Sequence, residues 1–318
     1  MQEKTEKLLI IDANSLIHRA FHALPPLTTK KGEIVNAVYG FLLIFLKAIK
    51  DFNPGYVAAC FDVPRPTFRH KKYKEYKAKR PAAPKELYEQ FPKIKEVLNR
   101  FEVAVFEKEG FEADDLIGTI ARVAFKKQAG LSLETIILSG DLDTLQLINL
   151  KTKVYGLRKG VKDIVLYDEQ LVKEKFQGLT PKQILDFKAL RGDPSDNIPG
   201  VAGIGEKTAI QLLLKFGTLE NIYREIKENS ENVKALSPRL KELLSQYKDQ
   251  AFLSKSLAEI EKNVPITFKL ANCRWGQYDK EKVISLFEDL GFHSLIARFS
   301  EPQKENQSVS KKENLRLW

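Results

Sequence analysis

Three carboxylates fall within four consecutive positions of the chain, at Glu112, Asp114 and Asp115. They stand just before an apolar, helix-like run from Leu116 to Phe125. One or two acids there would complement the positive end of a helix dipole, but three exceed that need. Like charges that share a site oppose each other's ionisation, and divalent cations relieve the repulsion. The stretch therefore indicates a cation site, provided that further carboxylates converge on it.

Such carboxylates follow three short apolar runs, each of which is typical of a buried strand. The runs and the acids that follow them are 8–11 before Asp12, 56–61 before Asp62, and 135–138 before Asp141 and Asp143. Helical patterns over 34–52, 85–101 and 116–129 separate the runs, so we predict an α/β fold with a mainly parallel sheet. Ligands bind outside the carboxyl ends of the strands in such sheets. Any one of these aspartates could equally be a helix cap, and only the set as a whole favours a common site.

After a last strand pattern at residues 165–167, helical patterns dominate, which places a boundary near residues 178–181. We expect an α/β domain over residues 7–178, a helical subdomain over 179–275, and a helical segment over 276–300 that packs on the body. Residues 301–318 begin with a polar stretch that is too poor in apolar residues to fold alone, so a disordered tail is expected.

The chain carries 52 Lys and Arg against 42 acids, a net charge of +10 that favours a polyanionic partner such as nucleic acid or a membrane surface. The longest apolar run, at residues 37–46, is too short to span a bilayer. The first residues lack a signal-peptide pattern, so we expect a cytoplasmic protein with no membrane association. Cys60 and Cys273 are isolated, which argues against a zinc site and fits small core residues.

A basic stretch between Arg65 and Arg80 is interleaved with aromatic residues, in the order Phe68, Arg69, Lys71, Lys72, Tyr73, Lys74, Tyr76, Lys77, Lys79 and Arg80. Aromatic rings can stack on bases while cations bind phosphates, a mode suited to single strands. A solvated charged loop is the alternative, but the regular aromatic spacing favours contact. We expect the stretch to become ordered on binding.

Two more acids, Asp193 and Asp196, precede a glycine-rich turn formed by Gly200, Gly203 and Gly205. The N–H groups at the start of the helix that follows, together with Lys207, could bind a phosphate. A nucleotide-binding P-loop is excluded because Glu206 separates Gly205 from Lys207. An EF-hand beginning at Asp141 fails on its sixth and twelfth positions, and Ser139 lacks the partners of a nucleophile.

With these motifs in hand, the chain resembles the flap endonuclease family, in particular the branch formed by the 5'-3' exonuclease domains of bacterial DNA polymerase I. The resemblance runs from about residue 7 to residue 299. It rests on Ile11–Asn14, Arg19–Ala23, Phe61–Asp62, Tyr76–Arg80, Glu112–Asp115, Asp141–Asp143, Gly192–Asn197 and Gly203–Lys207. Leu142 stands where the family usually has a basic residue, and Pro194 where a small polar residue is common.

The resemblance implies a PIN-like, resolvase-like sheet, a helical arch over the active site and a helix-three-turn-helix that binds duplex DNA. It implies a structure-specific 5' nuclease that hydrolyses DNA with two or more Mg²⁺ ions, for which Mn²⁺ can substitute, in replication and repair. By similarity, one metal is surrounded by Asp12, Asp62, Glu112 and Asp114, and the second by Asp141, Asp143 and Asp196. Asp115 and Asp193 take outer roles.

The resemblance also assigns the remaining contacts. Lys77 and Arg80 would steer the scissile phosphate, and Tyr76 or Tyr73 would stack on an unpaired base. Arg19 and Arg69 would contact DNA, while Gly200, Gly203, Gly205 and Lys207 would bind the duplex backbone, with a K⁺ ion at the turn. Expected substrates are 5'-flap DNA and nicked duplex, with RNA–DNA primers as a further one, for a monomer in the bacterial nucleoid.

Two other functions are weighed beside this one. A DNA-junction-binding protein with weak catalysis would have lost part of the acid cluster, whereas all nine acids are present. A PIN-type ribonuclease would lack the arch and the glycine turn. Finally, we expect that no polymerase follows on this chain, and the end of the tail, Leu315 to Trp318, is similar to peptides that bind sliding clamps. A clamp or a polymerase is therefore an expected partner, with folding back onto the body as the alternative.

Overall fold

The computed structural model describes residues 5–126 and 132–300. Its centre is a six-stranded sheet in the order β3-β2-β1-β4-β5-β6. The strands are β1 Glu6–Asp12, β2 Tyr56–Cys60, β3 Ala104–Phe106, β4 Leu133–Ser139, β5 Thr152–Lys159 and β6 Asp163–Tyr167. All neighbouring pairs are parallel except β5 and β6, which are antiparallel. The predicted α/β class is confirmed, and the three strands that precede the acids are neighbours in the sheet.

Fifteen helices are found in the described part of the chain. Those of the first half are α1 Ala13–Ala23, α2 Asn36–Phe52, α3 Phe68–Lys72, α4 Lys85–Tyr88, α5 Phe91–Arg100, α6 Ala113–Lys126 and α7 Glu169–Lys175. Those of the second half are α8 Ile184–Arg191, α9 Glu206–Phe216, α10 Leu219–Glu228, α11 Glu231–Lys234, α12 Pro238–Gln246, α13 Lys248–Ala258, α14 Lys280–Asp289 and α15 His293–Ser300. Short 3₁₀ helices occupy Leu142–Leu147, Pro181–Gln183 and Leu270–Cys273.

Helices cover both faces of the sheet, and the side chains of β1 alternate between the two cores that result. Leu9 and Ile11 pack into the core formed with α1, α2, α5 and α14. Leu8 and Ile10 pack into the opposite core, formed with α6 and the 142–147 helix. All four side chains are fully buried. A central parallel strand that is apolar on both faces thereby fixes the position of Asp12 at its carboxyl end.

The second half of the chain builds a helical subdomain with its own core. Side chains from α8, α9, α10 and α13 form this core, among them Leu190, Leu213, Leu219 and Ala251. The chain then returns to the sheet domain: Ile260, Val264 and Phe268 pack into the core behind α6. The core of the helical subdomain thus ends with α13, at Ala258, and the boundary at residue 275 stays a prediction.

Two helix predictions differ from the structure in instructive ways. The pattern over residues 85–101 forms two helices, and the buried Gln90 stands between them with its side chain hydrogen-bonded to the N–H groups of Ala37 and Val38. The predicted arch segment, which is the basic stretch between Arg65 and Arg80, contains only the short helix α3. The tail at 301–318 lies outside the described residues. In the part of the chain that the structure describes, no helix is long and apolar enough to cross a membrane.

Candidate active site

The first acids are held at the carboxyl edge of the sheet by the turns that follow the strands. Asp12 ends β1 and accepts hydrogen bonds from the N–H of Ser15 (3.1 Å) and the hydroxyl of Ser139 (2.5 Å). Asp62 follows β2 and accepts the N–H of Ala113 (2.7 Å), at the start of α6. Each carboxylate therefore accepts a hydrogen bond at the start of a helix. It keeps further lone pairs, which could bind a cation in addition.

Asp141 follows β4 in the same way. It caps the 142–147 helix, in whose first turn the N–H of Asp143 donates to its carboxylate (2.9 Å). The acids from three strand ends and α6 line one cleft of about 410 Å³. Its lining comprises Asp12, Asp62, Glu112, Asp114 and Asp141 with Asn14, Ser15, His18, Arg19, His22, Lys77, Arg80 and Ala113. Five of the predicted acids therefore meet in one cleft beside Lys77, Arg80 and Arg19, whereas Asp115, Asp143, Asp193 and Asp196 lie outside its lining.

Burial and repulsion between acids raise the pKa of three aspartates at and beside this cleft. Burial, with added repulsion from Asp62 and Asp141, raises the pKa of Asp12 to about 7. Burial, with repulsion from Asp141, raises the pKa of Asp143 to about 7. The pKa of Asp114 lies well above its usual value for the same reasons, since burial combines with the charges of Asp12 and Asp141. Raised pKa values clustered in a cleft are typical of functional sites.

Lys77 and Arg80 bind acids on the other side of the cleft. The ammonium of Lys77 lies 2.9 Å from Oε2 of Glu112 and 3.8 Å from Oδ2 of Asp196. Arg80 forms an ion pair with Asp196 and donates to the carbonyl of Ser195. The N–H of Lys77 also donates to the carbonyl of Asp196 (2.9 Å). These contacts fasten the end of the arch segment to the loop at residues 193–197.

Asp143 and Asp193 meet at a residue that the sequence analysis did not identify, Lys188 of α8. Its ammonium forms ion pairs with Asp143 and, at 2.6 Å, with Oδ2 of Asp193. Burial would raise the pKa of Asp193, but Lys188 and Ser195 lower it to about 2. A single lysine in a helical pattern carries no sequence signal for such a position.

Arg69 was predicted to contact DNA, and the structure corrects this. Its guanidinium is buried and forms two hydrogen bonds with the carboxylate of Asp115, at 2.8 and 2.7 Å. It also donates to the carbonyls of Leu257 (2.9 Å) and Glu259 (2.6 Å). Asp115 is fully buried in this pair, so neither side chain can reach a nucleic acid or ligate a metal directly.

Tyr76 is likewise corrected as a stacking residue, because its ring is only 3% exposed. Its hydroxyl lies within hydrogen-bonding distance of Oε2 of Glu112 (3.1 Å) and Oδ2 of Asp196 (3.2 Å). Tyr76 therefore bridges these two acids. Tyr73 packs beside it at intermediate exposure. Of the two tyrosines, only Tyr73 keeps a face that a base could reach.

The glycine turn connects α8 and α9. Gly200 was predicted to contact DNA, and the structure corrects this, because Gly200 is buried and its N–H and carbonyl groups are both bonded within the protein. Gly200 has a φ of +64°, and a Cβ there would lie 2.2 Å from the amide nitrogen of Gly192. Its N–H donates to the hydroxyl of Ser254 (3.0 Å), and its carbonyl accepts from Gln250 (2.7 Å). Gly203, Gly205 and Lys207 are exposed, so their backbone and ammonium groups face solvent at the start of α9.

Arg19 lies on α1 at the rim of the cleft and donates to the carbonyls of Gly140 (3.4 Å) and Arg158 (3.3 Å). No role was predicted for four further lining residues, namely Asn14, Ser15, His18 and His22. Of these, Asn14 accepts the N–H of Asp62 (3.1 Å) and Ser15 accepts the N–H of Gly140 (2.9 Å). Ser139, which was excluded as a nucleophile, positions Asp12 through its hydroxyl. Their hydrogen bonds hold the acids in place.

The candidate ligands fit a divalent metal. All of them are carboxylate oxygens, which suit Mg²⁺ or Mn²⁺. Among residues 5–126 and 132–300, no three acids already surround one ion position. Lys77, Arg80 and Lys188 instead hold Glu112, Asp196 and Asp143 in ion pairs. The chemistry of the set fits the metal, and the raised pKa values of Asp12 and Asp114 mark where cation charge is missing.

The mainly parallel sheet, with acids at its carboxyl edge, is followed by a helical subdomain with its own core. Two family models match the chain: the N-terminal resolvase-like domain of 5'-3' exonucleases over residues 7–177, and their C-terminal SAM fold over 179–281. The chain belongs to the 5'-3' exonuclease family.

Curated relatives agree with this assignment. DNA polymerase I of Bacillus subtilis is 44% identical over 312 residues, which is 98% of this chain and 34% of the relative. DNA polymerase I of Bacillus caldotenax is 43% identical over 95% of this chain and 33% of its own length. The chain thus spans about a third of the length of these relatives.

Solved structures support the fold. T5 5'-exonuclease with bound zinc ions superposes with a TM-score of 0.63 at 20% identity, over 92% of this chain and 97% of that one. The catalytic core of Rad2 in complex with a DNA substrate superposes with a TM-score of 0.57 at 17% identity, over 93% and 92% of the two chains. The sheet and the helical subdomain are therefore shared across this structural class.

Proposed function

We propose that this chain is a structure-specific 5' nuclease that hydrolyses DNA phosphodiesters with the help of two divalent metal ions. One observation carries the proposal. Five carboxylates from three strand ends and the start of α6 line one cleft beside Lys77, Arg80 and Arg19, and burial raises the pKa of three of them, Asp12, Asp62 and Asp114. Oxygen donors beside fixed cations suit the binding of a metal together with a phosphate.

The residues divide between two metal positions. Asp12, Asp62, Glu112 and Asp114 would hold the first, and Asp141, Asp143 and Asp196 the second, with Mg²⁺ or Mn²⁺ as the ion. When bound, the two ions supply a water of lowered pKa and stabilise the charge of the transition state. Asp115 belongs to the outer support only, through its pair with Arg69, and Asp193 acts through Lys188.

The protein groups bind and orient the scissile phosphate. Lys77 and Arg80 neutralise Glu112 and Asp196 in the free protein, and they are the cations that a phosphate at the cleft would contact. Arg19, which also lines the cleft, would bind a neighbouring phosphate. Ser139 and Asn14 keep Asp12 and the backbone at Asp62 fixed while the substrate enters. No covalent intermediate is needed.

The duplex would lie against the exposed turn at Gly203 and Gly205 and the start of α9. Backbone N–H groups and Lys207 there would bind phosphates without reading bases. A K⁺ ion held by turn carbonyls is part of the same proposal. Tyr73 is the remaining candidate for stacking on an unpaired base.

Substrates of the proposed enzyme are 5'-flap and nicked DNA, with displaced RNA–DNA primers as a further one. T5 D15 flap endonuclease, whose complex with DNA and metal ions has a TM-score of 0.63 at 19% identity, is a relevant comparison. A monomer that acts on nucleoid DNA in the bacterial cytoplasm fits this role. A contact of Leu315 to Trp318 with a sliding clamp or a polymerase is supported by sequence alone.

The test is a panel of 5'-end-labelled substrates: a 5' flap, a nicked duplex, single-stranded DNA and the same flap made of RNA, each with Mg²⁺ or with chelator. Incision of the flap near its junction, only with metal, is the expected result. Tight binding without incision would identify a junction-binding protein instead, and preferential cleavage of single-stranded RNA would identify a ribonuclease.

A further inference from the structure

Lys188 occupies an unusual place for a lysine, between two carboxylates at the edge of the acid cleft. Its side chain is 12% exposed, against 17% for Asp143 and 13% for Asp193. The ammonium is therefore shielded from water and carries the counter-charge for both acids. Charged groups this buried are stable only when paired.

The two partners of Lys188 are held unequally. Asp193 is fixed by its own loop: its carboxylate accepts the N–H and the hydroxyl of Ser195, at 2.9 and 2.6 Å. Its backbone forms a two-way bridge with Ile198, at 2.9 Å in each direction. Asp143 lies at the start of a short 3₁₀ helix and repels Asp141, which caps that helix. Of the two ion pairs, that with Asp143 is the one that can exchange.

We propose that Lys188 is a positioning residue that acts as an internal counter-ion for Asp143, and that a divalent cation binding at Asp143 must displace its ammonium. The inference rests on the proposed function, because it assigns Asp143 to a metal position. Lys188 would remain paired with Asp193 after it leaves Asp143. The residue would thereby allow the chain to fold without metal, and would weaken metal binding at this position.

The consequence can be measured without DNA and without catalysis. In Lys188→Met, a similar side-chain volume remains but the competing charge is gone. We expect the weaker class of Mn²⁺ sites in the 318-residue chain to bind about tenfold more tightly, since removal of one close like charge is an effect of this order. Electron paramagnetic resonance of free Mn²⁺ during a titration gives this affinity. In chelator, the same variant should melt at a lower temperature than wild type, because Asp143 and Asp193 then lack their cation.

Lys255 offers a matched control. Its ammonium also lies between two carboxylates, 2.6 Å from Asp186 and 2.7 Å from Glu220, but in the helical subdomain away from the cleft lining. Lys255→Met should lower the melting temperature and leave Mn²⁺ affinity unchanged. Lys188→Arg, which keeps the charge, should leave Mn²⁺ affinity within about twofold of wild type, a change of under half a kcal/mol.

The outcomes separate the inference from the function it rests on. If wild type binds Mn²⁺ and Lys188→Met binds it equally or more weakly, the counter-ion role is overturned while the nuclease proposal stands. If wild type binds no Mn²⁺ at millimolar concentration, the metal-dependent function itself fails, and the inference fails with it. If Lys188→Met does not fold, Lys188→Gln under the same titration decides the question, with tighter binding again required.

Discussion

Arg69 binds Asp115 through two hydrogen bonds in a site where the side chains are 3% and 0% exposed. The same guanidinium donates to Leu257 and Glu259, where the chain leaves the helical subdomain, and Oδ1 of Asp115 accepts the N–H of Glu261 (2.8 Å). One ion pair thus joins the arch segment, α6 and the returning chain. Asp115 also accepts the N–H of Glu112, so the pair supports a candidate metal ligand.

Arg69→Ala should therefore lower the free energy of unfolding, and it should not remove a direct contact with DNA. Removal of one partner of a buried pair leaves an unpaired charge and typically costs about 3–5 kcal/mol. Urea unfolding measures the loss. Lys72→Ala, in the same helix but exposed, is the control and should change the free energy of unfolding by under about 0.5 kcal/mol. Equal stabilities for the two variants would contradict the buried-pair account.

Asp114→Asn should stabilise the metal-free protein. The pKa of Asp114 is raised by burial and by neighbouring acids, so its ionised form costs stability above the folded pKa, and this cost disappears below the unfolded pKa. We expect a higher melting temperature in chelator at pH 8, by roughly 2–4 °C for each kcal/mol gained. The difference from wild type should shrink as the pH falls towards 4.

The control for that variant is Asp289→Asn on α14, an exposed residue outside the cleft lining. It should leave the melting temperature unchanged at both pH values. Added Mg²⁺ should raise the melting temperature of wild type more than that of Asp114→Asn. A destabilised Asp114→Asn protein in chelator would show that this carboxylate is not under repulsion.

Lys77→Ala and Arg80→Ala should each slow the chemical step. Loss of one fixed donor to a developing charge typically costs about 100-fold or more in rate. Single-turnover cleavage of a 5' flap, with enzyme in excess, separates this from weaker binding. Lys79→Ala, exposed between the two, should stay within about threefold of wild type. Rates near wild type for all three variants would remove the steering role.

Gly200→Ala and Gly205→Ala test which glycine of the turn is needed for its close packing. A Cβ at residue 200 would clash with the backbone of Gly192 and require a positive φ, whereas a Cβ at residue 205 meets no atom within 4 Å. Gly200→Ala should thus cost over 1 kcal/mol of stability and weaken duplex binding. Gly205→Ala should be as stable as wild type in thermal melts. Equal melting temperatures would contradict the close packing of the turn.

Much of the fold followed from local pattern. The strands that lead to Asp12, Asp62 and Asp141 are continuous apolar runs with an acid after each, so their place in the sheet could be predicted. The strand β3 is only three residues long, and β5 reads TKVYGLRK, with polar residues at both ends. Neither has a sequence signal that distinguishes it from a loop.

The acidic residues of the candidate site could be predicted from the sequence, but the places of its basic and aromatic residues could not. Most of the carboxylates follow recognisable strand patterns. The role of a Lys or Arg side chain depends instead on which residues pack around it. Arg69 and Lys77 belong to one basic stretch, yet Arg69 is buried under α6 while Lys77 reaches the cleft. Tyr76 was placed at the substrate, although its hydroxyl is taken by Glu112 and Asp196. Only tertiary structure distinguishes such residues.

The dependence of the single-turnover cleavage rate on Mg²⁺ concentration, with a 5'-flap DNA substrate, tests the central claim most directly. Two metal positions predict no incision in chelator and a rate that rises more steeply than the first power of Mg²⁺ concentration before it saturates. Asp143→Ala should bind the flap as wild type does but show no cleavage at moderate Mg²⁺. Incision in chelator, or a wild-type rate in Asp143→Ala, would contradict a metal-dependent 5' nuclease built on these acids.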